Sequence, residues 1–117
     1  MKTGFIGIGQ MGRHLAGHLL AAGFDVTVHD IRKAVAAPLL ERGAGWADSP
    51  RQVAAQCEVV FSSLPAPQDV KDMVYGDGGL SSGWKAGDIY VDMSTNSPSL
   101  IRNLATDAAG KGVTVLD

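Results

Sequence analysis

One stretch of the sequence decides the fold: Thr3-Gly4-Phe5-Ile6-Gly7-Ile8-Gly9-Gln10-Met11-Gly12. A short apolar strand runs here into glycines spaced G-x-G-x-x-G, and a segment of helical period follows them. A second apolar run ends at Asp30, eighteen residues after Gly12. A strand, a glycine turn, a helix, a second strand and an acid in this order are typical of a βαβ unit that binds a dinucleotide.

The three glycines of this turn are expected to have separate steric tasks. Gly7 permits a sharp turn out of the first strand, Gly9 lets a ligand approach the backbone, and Gly12 lets the helix pack on the sheet. The helix presents free N–H groups and the positive end of its dipole, which suit a diphosphate without a lysine. Two alternatives remain open: a glycine-rich turn without a ligand, and S-adenosylmethionine, because methyltransferases also use a glycine-rich first turn.

Asp30 and Arg32 bear on which dinucleotide is bound. The Asp30 carboxylate is expected to accept hydrogen bonds from the adenosine ribose hydroxyls and to repel the 2′-phosphate of NADP. Arg32 acts in the opposite sense, because an arginine just beyond the second strand can grip a 2′-phosphate or stack on the adenine ring. The sequence therefore favours NAD as the cofactor and leaves NADP possible.

Apolar runs alternate with segments of helical period along the rest of the chain. This pattern predicts an α/β fold, a doubly wound parallel sheet of the Rossmann type with helices on both faces. Right-handed crossovers favour the strand order 3-2-1-4-5-6, with the ligand crevice at the carboxyl ends of strands one and four. The first helix is expected to bury one stripe, Met11, Leu15, Leu19 and Ala22. The predicted strands are 3–8, 25–29, 45–47, 58–64, 88–93 and 113–116, and the predicted helices are 10–22, 32–42, 50–56, 67–75 and 98–109.

The ends of strands four and five bring further candidate residues to the crevice. Leu64 and Pro65 follow strand four, and Ser94, Thr95 and Asn96 follow strand five. These positions suit the nicotinamide end of a cofactor, with Ser94 and Asn96 nearest the substrate. Asn96 or the serine after it can also cap the next helix, and the two roles are compatible.

Composition narrows the classes of function. The chain has 117 residues, 45% of them hydrophobic and 19% charged, which is typical of one globular domain. A net charge of -2 and a pI near 5.8 give no basic surface, so nucleic acid and anionic membranes are not expected partners. No apolar run approaches the roughly 20 residues that cross a bilayer. We expect a cytoplasmic protein.

Three other reactive side chains are interpreted as structural. Cys57 precedes an apolar run, where a small buried thiol is common. His14 and His18 have metal-ligand spacing on one helix face. No Glu follows His14 as in the H-E-x-x-H motif, and the helix carries no third ligand. No metal site is therefore expected, and no catalytic residue is assigned.

Together these motifs resemble the β-hydroxyacid dehydrogenase family, which includes 3-hydroxyisobutyrate dehydrogenase, tartronate semialdehyde reductase and, more distantly, 6-phosphogluconate dehydrogenase and the imine reductases. The resemblance spans the whole chain and is carried by residues 4–12, 64–65, 78–80, 91–95 and Pro98. It implies that Asp30 holds the adenosine ribose. It also implies that the pyrophosphate lies on Gly7, Ile8, Gly9, Gln10, Met11 and Gly12, and the nicotinamide half along Leu64, Pro65 and Thr95.

The resemblance also implies which parts of the enzyme lie outside this chain. In such enzymes the sixth strand leads into a glycine-rich substrate loop with a serine, a catalytic lysine and an all-helical domain. Residues 1–117 are therefore expected to form the cofactor domain alone, to bind NAD or NADP and to turn over nothing measurable. The intact enzyme is expected to be a homo-oligomer that exchanges a hydride with a small hydroxy acid or semialdehyde. The alternative is a non-catalytic module that senses a nucleotide or docks a protein.

Overall fold

The computed structural model describes residues 2–94 and 97–117, which form one parallel sheet with helices on both faces. The strand order is β3-β2-β1-β4-β5-β6, which confirms the predicted doubly wound topology. No helix in these residues is long and apolar enough to cross a membrane. The elements are β1 (Lys2–Ile6), α1 (Gln10–Ala21), β2 (Asp25–His29), α2 (Ala37–Glu41), β3 (Gly45–Trp46), α3 (Pro50–Gln56), β4 (Val59–Ser62), α4 (Pro67–Tyr75), β5 (Ile89–Asp92), α5 (Pro98–Ala109) and β6 (Thr114–Leu116), with single 3-10 turns at Lys33–Ala36 and Leu80–Gly83.

The sheet is buried on both faces, as its apolar strands require. Successive side chains of a strand point to opposite faces. Phe5 therefore packs beneath α1 and α2, and its neighbour Ile6 packs beneath α3, α4 and α5. On α4, Val70 and Val74 are fully buried, and Met73 packs partly buried against the same core. Two hydrophobic cores thus hold the carboxyl ends of β1, β2 and β4 in fixed positions.

The predicted helix at residues 32–42 is wrong as a single element. The structure has a 3-10 turn at Lys33–Ala36 and then the short helix α2, with Pro38 in its first turn. The physical reason is that proline has no N–H and its ring clashes with the carbonyl four residues earlier. A continuous helix is therefore interrupted before Pro38, and a new one begins there, where an N–H has no helical partner anyway.

The predicted buried stripe of α1 is right only at Leu15 and Leu19, which pack partly buried against the core. Met11 is 60% exposed and Ala22 is exposed, whereas the fully buried residues are Gly12, Ala16 and Gly17. The helix approaches the sheet so closely at its N-terminus that only small residues fit between them. Met11 instead faces the crevice at the carboxyl ends of the strands.

Serine caps begin two of the helices on the carboxyl side of the sheet. The Ser49 hydroxyl accepts the N–H of Gln52, and the Ser97 hydroxyl accepts the N–H of Leu100, each at 3.2 Å. Both contacts agree with the Ser-Pro helix starts in the sequence. They fix where α3 and α5 leave the edge of the sheet.

Candidate dinucleotide site

A cleft of about 1180 Å³ opens where the parallel strands end. It lies at the predicted position, beside the carboxyl ends of β1, β2 and β4. Among the described residues predicted to hold the cofactor, Ile8 does not line it, because its side chain is only 1% exposed. The structure brings the following predicted residues to this one cleft: Gly7, Gly9, Gln10, Met11, Gly12, Asp30, Arg32, Leu64 and Pro65.

Two of the three glycines are required by the protein itself. Gly7 has a φ of +88°, and a β-carbon there would also lie 2.8 Å from Leu64 Cδ2. A β-carbon at Gly12 would lie within 3.0 Å of the Gly7 carbonyl oxygen, closer than real side chains come, and 3.2 Å from the ring of Phe5. These positions therefore need glycine for backbone conformation and for the close approach of α1 to the sheet.

Gly9 differs, because nothing in the protein would meet a side chain at that position. Its φ of -67° is ordinary for any residue, and no heavy atom lies within 4 Å of a β-carbon placed on it. The position lines the cleft. The space beside Gly9 therefore fits a group that approaches the backbone from outside the protein, as a dinucleotide diphosphate does.

The start of α1 supplies the electrostatics for an anion at this point. Gly9 is the N-cap and offers no side-chain cap, and the first turn carries no acid. The first N–H groups of an α-helix have no partner inside the helix, and the dipole places positive charge there. Gln10, Met11 and Gly12 can therefore present backbone donors to a phosphate.

Asp30 joins the end of β2 to the glycine turn. Its Oδ2 accepts the N–H of Ile8 at 2.8 Å, and its Oδ1 accepts the N–H of Arg32 at 2.9 Å. The carboxylate is 8% exposed and lines the cleft. The parallel register of β1 and β2 pairs Ile6 with His29, and this register places Asp30 beside the turn. Each carboxylate oxygen keeps a further acceptor position for a ligand hydroxyl.

Arg32 stays close to Asp30 and does not extend across the cleft. Its Nε lies 3.6 Å from Asp30 Oδ1, and its side chain is 66% exposed. Lys33, the next residue, lies over the ring of Trp46 at 5.5 Å. Ile31 is 93% exposed between them and the acid. The mouth of the cleft near Asp30 thus holds two cations, one aromatic ring and one exposed aliphatic side chain.

The cleft is also lined by residues that no sequence motif marks. His29 is 8% exposed and donates its Nδ1–H to the carbonyl of Ala47 at 2.9 Å, because a carbonyl oxygen can only accept. Nine further lining residues come from β3, from the start of α3, from α4 and from the segments beside these elements, so no single motif marks them. They are Trp46, Asp48, Ser49, Pro50, Asp69, Asp72, Met73, Asp77 and Gly79.

The ends of β4 and β5 are joined by side-chain hydrogen bonds. Ser94 is not among the residues that line the cleft. Its Oγ accepts a hydrogen bond from the N–H of Leu64 at 2.7 Å. Asp92 Oδ1 accepts from Ser62 Oγ at 3.1 Å and from the Ser94 N–H at 2.9 Å. Asp92 Oδ2 is buried and has no hydrogen-bond partner among the described residues. Two candidates of this region, Thr95 and Asn96, lie outside the described residues.

The remaining reactive side chains lie away from the cleft. His14 and His18 are exposed on α1, with their Nε2 atoms 3.1 Å apart. Within residues 2–94 and 97–117, no group of three or more His, Cys, Asp or Glu side chains is arranged to hold a metal ion. Cys57 is buried, and that burial raises the pKa of its thiol, although a hydrogen bond with Thr27 acts in the opposite direction. The Cys57 side chain is therefore protonated at neutral pH, and a protonated thiol is a poor nucleophile.

Comparison with known proteins identifies the relatives of this domain. Residues 2–117 match a family described as the NAD binding domain of 6-phosphogluconate dehydrogenase. The chain is 41% identical over 117 residues to a probable 3-hydroxyisobutyrate dehydrogenase-like protein of Arabidopsis thaliana, covering 99% of this chain and 35% of that protein. It is 42% identical over 113 residues to the 3-hydroxyisobutyrate dehydrogenase of Pseudomonas aeruginosa, covering 97% and 38%. The resemblance to β-hydroxyacid dehydrogenases is thereby confirmed.

A solved structure agrees with this relationship. Psf3 in complex with NADP+ and 2-OPP superimposes with a TM-score of 0.91 and 32% sequence identity, over 97% of this chain and 40% of that chain. The chain therefore spans about two fifths of the length of the proteins that it matches. The similarity covers the whole cleft described above.

Proposed function

Because this chain belongs to the family of NAD-binding domains of 6-phosphogluconate dehydrogenase, we propose that its cleft holds NAD, with the diphosphate on the glycine turn. The observation that carries the proposal is the open space at Gly9, which faces the helix N-terminus and adjoins Asp30 in one cleft. Neither the packing nor the backbone of the protein requires glycine at this position.

The chain's own residues suggest how the cofactor is oriented. Backbone N–H groups of residues 7–12, including Gln10 and Met11, bind the diphosphate, and Asp30 accepts hydrogen bonds from the adenosine ribose. Leu64 and Pro65 lie on the other side of the glycine turn and form a wall for the nicotinamide half. The resemblance to the family assigns Thr95 to the same half of the cofactor. Bound NAD supplies a carbon that accepts or gives a hydride, and the residues of this domain hold it in place.

Charge favours NAD over NADP in this cleft. Asp30 is proposed to face the 2′-position of the adenosine ribose and to repel a phosphate there. The Arg32 side chain, with its Nε 3.6 Å from Asp30 Oδ1, would have to leave this ion pair to grip an added phosphate. The lining contains more acids than bases. The acids are Asp30, Asp48, Asp69, Asp72 and Asp77, and the bases, apart from His29, are Arg32 and Lys33. NADP, with its additional negative charge, should therefore bind more weakly than NAD.

The reaction proposed for the whole protein is based on the names of its relatives. We propose that this domain serves an oxidoreductase that exchanges a hydride between NAD and a small hydroxy acid or semialdehyde, as the name 3-hydroxyisobutyrate dehydrogenase implies for its relatives. We further propose that the enzyme is a cytoplasmic homo-oligomer whose substrate-binding and proton-transfer groups lie outside residues 1–117. Ser94 and Asn96 are then the residues of this domain nearest the substrate.

The test is calorimetric titration of the 117-residue chain with NADH, NADPH, ADP-ribose and S-adenosylmethionine. We expect NADH to bind more tightly than NADPH and S-adenosylmethionine not to bind. At about 100 times its dissociation constant, NADH should raise the free energy of unfolding by about 2.7 kcal/mol. Absence of binding by both NADH and NADPH would refute the proposal, and binding of S-adenosylmethionine alone would favour a methyltransferase.

A further inference from the structure

The loop from β4 to α4 depends on β5 for its position. This loop is residues 63–66, and it carries the Leu64 and Pro65 wall of the cleft. The N–H of Ser63 bonds to the Ile6 carbonyl at 3.0 Å, while Pro65 has no N–H to give. The next donor, the Leu64 N–H, goes to the Ser94 hydroxyl at 2.7 Å. One side-chain oxygen, two residues beyond the end of β5, therefore holds the middle of the loop.

Ser94 is in turn fixed by a buried carboxylate. Asp92 is 1% exposed, and its Oδ1 accepts the Ser94 N–H at 2.9 Å. The same oxygen accepts from Ser62 Oγ at 3.1 Å. Because the single Ser62 proton is used in that bond, the Tyr90 hydroxyl must donate to Ser62 Oγ, from which it lies 2.6 Å away. Two donors, the Ser62 hydroxyl and the Ser94 N–H, thus converge on Asp92 Oδ1, and the Tyr90 hydroxyl holds Ser62 in place.

Ser94 acts on the cleft through Leu64 alone in the described structure. It does not line the cleft, whereas Leu64 does. The Leu64 side chain also packs over the glycine turn, since a β-carbon at Gly7 would lie 2.8 Å from its Cδ2. A shift of Leu64 would therefore move the wall on one side of the turn and leave Asp30, on the other side, in place.

We propose that Asp92 and Ser94 are positioning residues that set the affinity of the cleft for the nicotinamide end of the cofactor by holding Leu64. This inference rests on the proposed function. It assigns to Ser94 an action through Leu64 in addition to any contact with the substrate. The adenosine end, which is held by Asp30 and the glycine turn, does not depend on this pair.

The experiment compares two ligands on Ser94→Ala. NADH and ADP-ribose share the adenosine and the diphosphate, but only NADH carries the nicotinamide. Loss of one hydrogen bond that positions the wall should raise the dissociation constant of NADH about fivefold to tenfold. The dissociation constant of ADP-ribose should stay within about twofold. Amide hydrogen exchange should show faster exchange at Leu64 in the unliganded variant.

Ser97→Ala is the matched control, because Ser97, like Ser94, lies between β5 and α5. Its hydroxyl also accepts a hydrogen bond from a backbone N–H, that of Leu100. It should speed exchange at Leu100 and leave the ratio of the two dissociation constants unchanged. Ser94→Cys keeps the size of the side chain but has a weak acceptor. It should weaken NADH selectively without loss of packing, which keeps the test usable if the alanine variant folds poorly.

The results separate this inference from the proposed function. If the wild-type chain binds neither NADH nor ADP-ribose, both are overturned. If the wild type binds both ligands, and the Ser94 variants weaken both equally or weaken neither, only the role of Asp92 and Ser94 is overturned. A selective loss of NADH that Ser97→Ala does not reproduce supports it.

Discussion

The two sides of the cleft are built by different means. On the β1–β2 side, backbone conformation and strand register place the glycine turn and Asp30. The Asp30 carboxylate also accepts a hydrogen bond from the N–H of Ile8. On the β4–β5 side, Leu64 is held by a hydroxyl that is thirty residues away in sequence. Steric exclusion makes the first side rigid and intolerant of substitution at Gly7 and Gly12, whereas the second side depends on single hydrogen bonds, each worth about 1 kcal/mol.

The strongest test of this difference is Gly12→Ala. Its β-carbon would lie within 3.0 Å of the Gly7 carbonyl oxygen, which is fixed backbone. Overpacking against backbone of this kind should lower the free energy of unfolding by about 3 kcal/mol or more. Urea denaturation measures the loss. Equal stability of the variant and the wild type would show that α1 can move away from the sheet and that the β1–β2 side is not rigid.

Gly9→Ala should affect binding and not folding. Its φ of -67° suits alanine, and its β-carbon would meet no protein atom. The free energy of unfolding should change by less than about 1 kcal/mol, because the lower entropy of the unfolded chain and the poorer N-cap at alanine act in opposite directions. The dissociation constant of NADH should rise at least about tenfold, because the methyl group occupies the space proposed for the diphosphate.

Gly110→Ala is the control for that substitution. Gly110 has helical backbone angles, and its β-carbon would make only an ordinary contact with the Asp107 carbonyl oxygen at 3.4 Å. It lies at the end of α5, outside the cleft. Alanine there should leave the NADH titration unchanged. If Gly9→Ala also left it unchanged, the diphosphate would have to bind elsewhere.

Asp30→Asn separates charge from hydrogen bonding on the β1–β2 side. One oxygen remains to accept the Ile8 N–H, so the free energy of unfolding should fall by only about 1 kcal/mol. Removal of the negative charge should weaken NADH several-fold and weaken NADPH less, because repulsion of the 2′-phosphate is lost. The measurement is the ratio of the two dissociation constants. A ratio unchanged from wild type would mean that Asp30 does not face the adenosine ribose.

The two sides also differ in how far the sequence predicts them. The strand order, the crevice and the turn at Gly7 to Gly12 follow from apolar runs and glycine spacing, which are local patterns. The contact of Ser94 with Leu64 joins two loops that no motif relates. Met11 in the first turn of α1 was mispredicted as buried, because helical period does not record that Gly12 brings the helix too close for Met11 to turn inward.

The smallest expected effect lies outside the cleft, where Tyr75 on α4 donates a hydrogen bond to Asp107 on α5. Burial, then this hydrogen bond and the charge of Asp107, raise the pKa of Tyr75 to about 12 from its usual 10. Tyr75→Phe should lower the free energy of unfolding by about 0.5 to 1 kcal/mol at neutral pH. NADH binding should not change, because Tyr75 does not line the cleft.

The pH dependence of that difference follows from the direction of the shift. The folded state holds the Tyr75 proton more tightly than the unfolded state does, so the stabilisation is complete below the unfolded pKa, near 10, and is lost as the pH rises towards the folded value of about 12. Urea denaturation of wild type and Tyr75→Phe between about pH 10 and pH 12 measures this difference. Ionisation of Tyr90 affects both proteins equally and therefore does not contribute to the difference. A difference that stays constant through this range would show that Tyr75 stabilises α4 against α5 by packing alone, without the bond to Asp107.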